Sequence, residues 1–278
     1  MLLSGLGFAL MNLFVRLAGP LPTFQKAFFR NILVLLFALL ALVRQEEKAL
    51  QNLSGRKFLL LLLRSMFGTM GLVCNFYAVD RLPISDASVM NKLAPFFTIG
   101  ASYFLLKERI RREQMISLLI ALTGAVFVAR PLFSNPQLGA YMIAFLGGAS
   151  AGIAYAFVRM LAREGVSSHL IIFFFSLFST LAVLPGTLRS FQPMTQAQLL
   201  FLILAGASAA LGQYGITLAY SLAPAAEISI YNYSQVIFAA ALSLVFLNEW
   251  PETLSLLGYL LIFAASFYLL IHNKKAGN

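Results

Sequence analysis

Apolar residues run along this chain in ten long blocks separated by short polar connections. The blocks fall at roughly 1–19, 23–43, 57–79, 84–105, 114–130, 138–158, 169–188, 197–220, 225–247 and 254–271. Most reach about 20 residues, the length a helix needs to cross a hydrocarbon core of about 30 Å. Inside lipid every backbone polar group must pair internally, so only helices or a closed barrel can span. A barrel strand would alternate apolar and polar positions, and these runs are continuous. The pattern predicts an all-α integral membrane protein with ten transmembrane helices. The longest connection, RQEEKALQNLSGRK (44–57), is charged and is expected to be aqueous.

The polar positions inside the blocks repeat. At a shift of 141, Pro83, Asp86, Ser88, Asn91, Phe97, Ser102, Leu106 and Glu108 fall on Pro224, Glu227, Ser229, Asn232, Phe238, Ser243, Leu247 and Glu249. Phe14-Val15-Arg16 recurs as Phe157-Val158-Arg159 at a shift of 143, Gly5 meets Gly148 at that shift, and Gly71 meets Gly212 at 141. The chain therefore reads as two five-helix repeats, 1–133 and 134–278. Five is odd, so the second copy enters the membrane from the opposite side. Inverted repeats of this kind are a common plan among secondary transporters, with a site near the midplane between the copies.

Composition supports the membrane reading. Of 278 residues, 60% are hydrophobic and 11% charged, with mean hydropathy +0.85, whereas soluble domains carry about 25% charged residues. The net charge of +10 sits mostly between spans and reads as a topology signal, not as a nucleic-acid surface. With the N-terminus in the cytoplasm, twelve Lys and Arg fall in cytoplasmic connections and at most six on the other side, so both termini are expected to be cytoplasmic in a cell membrane. The single Cys74 forms no internal disulfide. The N-terminal block lacks a basic leader and reads as a retained first span. There is no P-loop, dinucleotide fingerprint or metal-ligand spacing, so no cofactor and no metal are expected. Gly148-Ala149-Ser150-Ala151-Gly152 matches a hydrolase elbow, but it lies within an apolar helix. It reads instead as a G-x-x-x-G face for close helix approach, and no catalytic residue is assigned.

Lys92 is the sharpest candidate for function. It lies about nine residues into its span, about 13 Å deep at 1.5 Å per residue. A charge there costs about 2.5–3.5 kcal/mol or more and should face a cavity or a partner. Its repeat mate is Tyr233, so the charge is unshared. Asn91 and Asn232 pair through the repeat, and Gln235 lies at the same depth. Asn12 and its mate Tyr155, and Gln213 and Tyr214 in the eighth span, are further candidate cavity groups. Arg30 and Arg64 lie about seven residues inside their spans; pointing inward with Lys92 they would make the cavity cationic, and otherwise they snorkel. Asp86 and Glu227 follow helix-starting prolines, where a carboxylate suits the helix dipole, and they are the candidates for proton coupling. Glu108 and Glu249 close the same helices at the unfavourable dipole end.

The pattern Asn75-Phe76-Tyr77-Ala78 through Leu82-Pro83, Asp86-Ala87, Ala94-Pro95 and Lys107-Glu108, with echoes at Ala219–Pro224 and Asn248-Glu249, resembles the drug/metabolite transporter superfamily, specifically its ten-helix EamA-type members. Arg64 before a glycine-containing third helix resembles them too. The resemblance implies a central cavity lined by helices one to four and six to nine, with five and ten peripheral. It implies a secondary transporter of small organic metabolites working by alternating access, with an amino-acid-, nucleoside- or cofactor-like substrate, anionic or zwitterionic if the arginines face inward. The expected partners are that small molecule and the bilayer, no nucleic acid, and at most a second copy of the chain. A flippase, or a flippase subunit, for a lipid-linked substrate is the alternative. Ala94-Pro95 has no counterpart at Gln235-Val236, so a kink near Pro95 is expected in one copy only.

Overall fold

A computed structural model describes residues 1–44, 54–106, 112–129, 136–222, 234–250 and 253–276. The helices are α1 (Leu2–Leu17), α2 (Thr23–Arg44), α3 (Gly55–Val79), α4 (Ile84–Asn91), α5 (Ala94–Leu106), α6 (Arg112–Ala129), α7 (Leu138–Arg163), α8 (Ser168–Arg189), α9 (Gln196–Leu222), α10 (Ser234–Leu247) and α11 (Thr253–Ala276). They form ten transmembrane spans, because α4 and α5 together make the fourth. By length and composition alone, α2, α3, α7, α8 and α9 suffice to cross a bilayer. Pro224, Glu227, Ser229 and Asn232, which the sequence places at the start of the ninth span, lie outside the described residues.

The fourth span departs from the expected single helix. It breaks at Lys92 and Leu93, one turn before Pro95. Proline has no N–H to give the carbonyl of residue 91, its ring clashes with that carbonyl, and it drives the preceding residue away from helical torsions. The break therefore falls N-terminal to the proline and puts Lys92 at an interruption deep in the span.

Helix ends follow local chemistry. Ser54 and Ser167 accept hydrogen bonds from the N–H groups of Lys57 and Leu170 and so cap α3 and α8. α7 ends on Gly165 at φ +76°, with the N–H of Val166 bonded back to the Leu161 carbonyl, a closure that needs a left-handed residue.

The packing has an internal two-fold. α3 lies on α7 as α9 lies on α1; α5 lies on α7 as α10 lies on α1; α8 touches α3 as α2 touches α9. α2 with α8, and α6 with α11, are each their own mate. Exchanging span n with span n+5 maps every one of these pairs onto another, which is the arrangement of two inverted five-helix repeats. Small residues make the joints tight. A side chain at Gly71 would lie 3.1 Å from the Gly147 carbonyl, and one at Gly7 would lie 2.7 Å from the Gly212 nitrogen. The GASAG stretch is the same device. Gly148 faces the Met90 carbonyl and Gly152 the Ala94 carbonyl, on either side of the broken fourth span. Leu36, Leu40, Phe104, Leu200 and Phe246 point outward, which is what a lipid-facing surface requires.

Candidate functional site

Eight of the ten spans converge on a central cavity of about 70 Å³. α1 contributes Phe8 and Met11, α2 Arg30, and α3 Arg64, Gly68, Leu72 and Asn75. Asn91, Lys92 and Ala94 come from the break in the fourth span, Tyr155 from α7, Phe175 from α8, Gln213 and Ile216 from α9, and Gln235 from α10. Among the described residues, α6 and α11 contribute nothing to the lining, and they pack on each other at the periphery. The division between spans one to four and six to nine is the one the resemblance implies.

Seven predicted residues meet here: Lys92, Asn91, Tyr155, Gln213, Gln235, Arg30 and Arg64. The arginines do not snorkel. Arg30 is 1% exposed and Arg64 2%, and both guanidiniums lie over the Phe175 ring, at 5.9 and 4.3 Å from its centroid. Gly68 makes room for this, because a side chain there would strike the Arg64 guanidinium and Phe175. Arg30 also donates to the Asn31 carbonyl oxygen at 2.7 Å, and Asn31 donates to Ser179 on α8. Tyr155 stacks on Tyr220 with centroids 4.6 Å apart. The lining among the described residues contains three cationic side chains and no carboxylate.

Two predicted residues lie elsewhere. Asn12 is fully buried one layer behind the cavity. Its oxygen accepts from Asn75, its amide donates to Ser88, and Asn75 in turn accepts from Asn91. Asn12 thus positions a chain of amides that ends at the cavity. Tyr214 faces away, beside His169 with ring centroids 5.6 Å apart. Asn232 and Glu227 lie outside the described residues. Asn75 and Phe175 line the cavity without having been chosen as site residues. Asn75 stood in the sequence as part of the family-like stretch, while Phe175 is one of 26 phenylalanines and nothing local marks it.

Asp86 is buried at the start of α4 and accepts hydrogen bonds from the hydroxyls of Tyr141 on α7 and Tyr259 on α11. This carboxylate joins the fourth span to the sixth and tenth and does not reach the cavity lining.

Glu249, unexplained by its own helix, proves to act across the molecule. One carboxylate oxygen meets Arg16 at 2.6 Å; the other accepts from the Ile84 N–H at 3.2 Å and from Ser243 at 2.8 Å. Arg16 also donates to the Val79 carbonyl. The pair therefore puts a cation on the C-terminal carbonyls of α3 and an anion on the N-terminal amides of α4, each at its favourable dipole end. Beside it Lys26, 1% exposed, pairs with Asp80 at 2.5 Å. Burial pushes the Asp80 carboxyl above its ordinary value, against the pull of Lys26. These pairs lie on one face, where α1 ends, and a surface depression lined by Arg16, Asp80, Arg81 and Gln192 lies at the same level. The opposite face has Arg56 with Glu164 at 3.1 Å, and with Arg56 74% exposed that pair contributes little.

Comparison with known proteins gives a consistent picture. The EamA-like transporter family matches residues 1–130 and 138–271. The chain is 32% identical over 271 residues to the pseudopaline exporter of Pseudomonas aeruginosa, covering 96% of this chain and 93% of that one. It is 23% identical over 262 residues to an S-adenosylmethionine uptake transporter of Rickettsia bellii, covering 94% and 88%. A crystal structure of a protein 16% identical superposes with TM-score 0.69 over 99% of each chain, which shows a shared fold.

Proposed function

The chain belongs to the EamA-like transporter family, and from that premise we propose that it moves a small, anionic or zwitterionic organic metabolite across the cell membrane by alternating access. That it is a multi-pass membrane transporter of the drug/metabolite type, not an enzyme, follows from membership and from relatives named as a pseudopaline exporter and an S-adenosylmethionine uptake transporter.

The observation that carries the proposal is the small cavity at the two-fold. Its volume of about 70 Å³ is well below the roughly 300–1,000 Å³ typical of pockets for organic ligands. A metabolite therefore binds only after the spans part, and the inverted packing offers two equivalent ways of parting, one toward each face. The Arg16–Glu249 and Lys26–Asp80 pairs close the face where α1 ends. The excess of Lys and Arg in the other face's connections supports a cytoplasmic location for that face and for both termini. A boundary between the copies at 133 and 134 fits this reading.

Lys92 and the arginines hold the substrate; Asn91, Tyr155, Gln213 and Gln235 shape its polar surroundings. Asp86 is a candidate for carrying a coupling proton, and transport indifferent to a pH gradient removes that role. The test of the central assignment is Lys92→Ala in proteoliposomes. It is expected to abolish substrate uptake while the protein still folds, and wild-type uptake would refute the assignment.

A further inference from the structure

Arg30 and Arg64 meet at one aromatic ring, and most of their hydrogen-bonding capacity is unused. Both side chains are buried, with their guanidiniums 5.9 and 4.3 Å from the Phe175 centroid. A guanidinium carries five N–H donors in a planar fork and no acceptor. Among the described residues Arg30 gives one donor, to Asn31, and Arg64 gives none. The Nε of each is buried without a partner among those residues. Two like charges this close repel, and buried donors without acceptors are costly. One acidic group set between the two forks answers both, because a carboxylate or phosphate accepts from guanidinium in pairs.

The helix joint does not require these cations. The internal two-fold sets the contact of α3 with α8 against that of α9 with α2. At the positions matching Arg30 and Arg64 the second copy has Ile-Ile-Phe (171–173) and Ala-Gly-Ala (205–207). There Gly206 sits directly on Leu33, and the mirror joint closes on apolar atoms.

Another part of the lining offers the opposite chemistry. Asn91 gives an amide hydrogen to Asn75 at 3.0 Å, and Gln213 gives one to Thr217 at 3.0 Å. Both side chains line the cavity. Their oxygens accept no hydrogen bond among the described residues and remain as acceptors.

We infer that the central cavity takes one acidic group of its ligand between Arg30 and Arg64, over Phe175, while the oxygens of Asn91 and Gln213 take an N–H or O–H donor elsewhere on the same molecule, so that the substrate is an amino or hydroxy acid. This rests on the transport reading above and names a substrate class within it. The acid pole belongs to the first repeat alone, so the ligand lies off the two-fold and has one orientation in the site. Carboxylates and phosphates share the chemistry of that pole, and the two are separated in the test.

The test uses the purified full-length protein in detergent. Thermal unfolding is read against equal concentrations of glycine, 4-aminobutyrate, 6-aminohexanoate, 4-hydroxybutyrate, butyrate, butylamine and 3-aminopropyl phosphate. At least one amino or hydroxy acid is expected to raise the melting temperature by several degrees, and by more than butyrate does, while butylamine leaves it in place. A shift from 3-aminopropyl phosphate larger than any from the carboxylates supports the site and makes the acid a phosphate; the opposite order makes it a carboxylate. Arg64→Lys keeps the charge and removes the fork. It is expected to weaken the stabilising ligand by about ten-fold or more; if that variant fails to fold, Arg30→Lys carries the same expectation. Gln213→Leu is expected to shrink the advantage of the amino or hydroxy acid over butyrate. The inference is overturned if butylamine stabilises as well as the acids, if no acid shifts the transition, if butyrate does as well as the acids that carry a donor, or if a folded arginine-to-lysine variant binds as the wild type does. Counterflow in proteoliposomes separates this from the transport reading. Acid binding without exchange leaves the acid site standing and removes transport, whereas exchange of butylamine and not of the acids does the reverse.

Discussion

Gly152→Ala tests whether the cavity depends on backbone contact between α7 and the broken fourth span. The added Cβ would lie 2.4 Å from the Ala94 carbonyl oxygen, 2.6 Å from the Phe97 Cβ and 3.0 Å from the Thr98 nitrogen. Two of these are backbone atoms, so no side chain can swing clear and α5 must retreat by roughly 1 Å to reach normal contact. Overpacking of this kind costs about 1–3 kcal/mol. The retreat also stretches the Thr98 hydroxyl bond to the Gly152 carbonyl, now 2.9 Å, for about 1 kcal/mol more. Replacing glycine by alanine within a helix returns about 1 kcal/mol, which leaves a net loss of about 1–3 kcal/mol. Gly100→Ala is the control. It lies on α5, where an added Cβ meets nothing within 4 Å, and it should be neutral or stabilising by up to about 1 kcal/mol. Unfolding in detergent measures both, and uptake into proteoliposomes should fall for Gly152→Ala alone, because Lys92 and Ala94 move with α5. Equal stability of the two variants, with wild-type uptake for both, would refute the reasoning.

Glu249→Gln removes the charge that holds Arg16, and with the partners 20% and 26% exposed the loss is discounted to about 1–2 kcal/mol. It should loosen the face where α1 ends. The readout is faster reaction of a cysteine placed at Met11, in a Cys74→Ala background, with an impermeant maleimide added from that face; an unchanged rate removes the latch. At the neighbouring pair, Asp80→Asn strands the charge of the buried Lys26 and should lower stability by about 2 kcal/mol or more. Adding Lys26→Met should recover most of that in a double-mutant cycle, and additive losses would show that the two side chains are not coupled.

Much of this architecture was legible because lipid imposes a crude rule on sequence. Continuous apolar runs set the spans, and an acid or a lysine inside one stands out against the background. The duplication from Pro83 to Glu108 onto Pro224 to Glu249 gave the inverted plan, and the depth of Lys92, Arg30 and Arg64 pointed to the cavity. Long-range pairings were not legible. Glu249 looks misplaced at the end of its own helix, and only the fold brings Arg16 and the Ile84 amide to it across more than a hundred residues. Pro95 was visible, yet its effect lands a turn earlier, on Lys92, because the proline ring acts on the carbonyl four residues back. Asn12 was misplaced by one layer, since helical spacing gives a residue's depth but not whether it faces empty space or a neighbouring amide. Phe175 carries no signal in a chain rich in lipid-facing phenylalanine; it matters only because two arginines rest on it.

The pairing of helices also dictates how the protein can be made. α1, α2 and α3 lie chiefly on α9, α8 and α7, and α6 lies on α11. When the first five spans have left the ribosome, the glycine-bearing faces of α1 and α3 have nothing to close against. They wait in the bilayer until α7 and then α9 arrive, and α6 waits for the last helix of the chain. Maturation is thus an intramolecular analogue of dimerisation, in which α3 settles before α2 and α1, and α6 settles last, and a ribosome stalled before about residue 200 leaves a set of inserted helices instead of half a transporter.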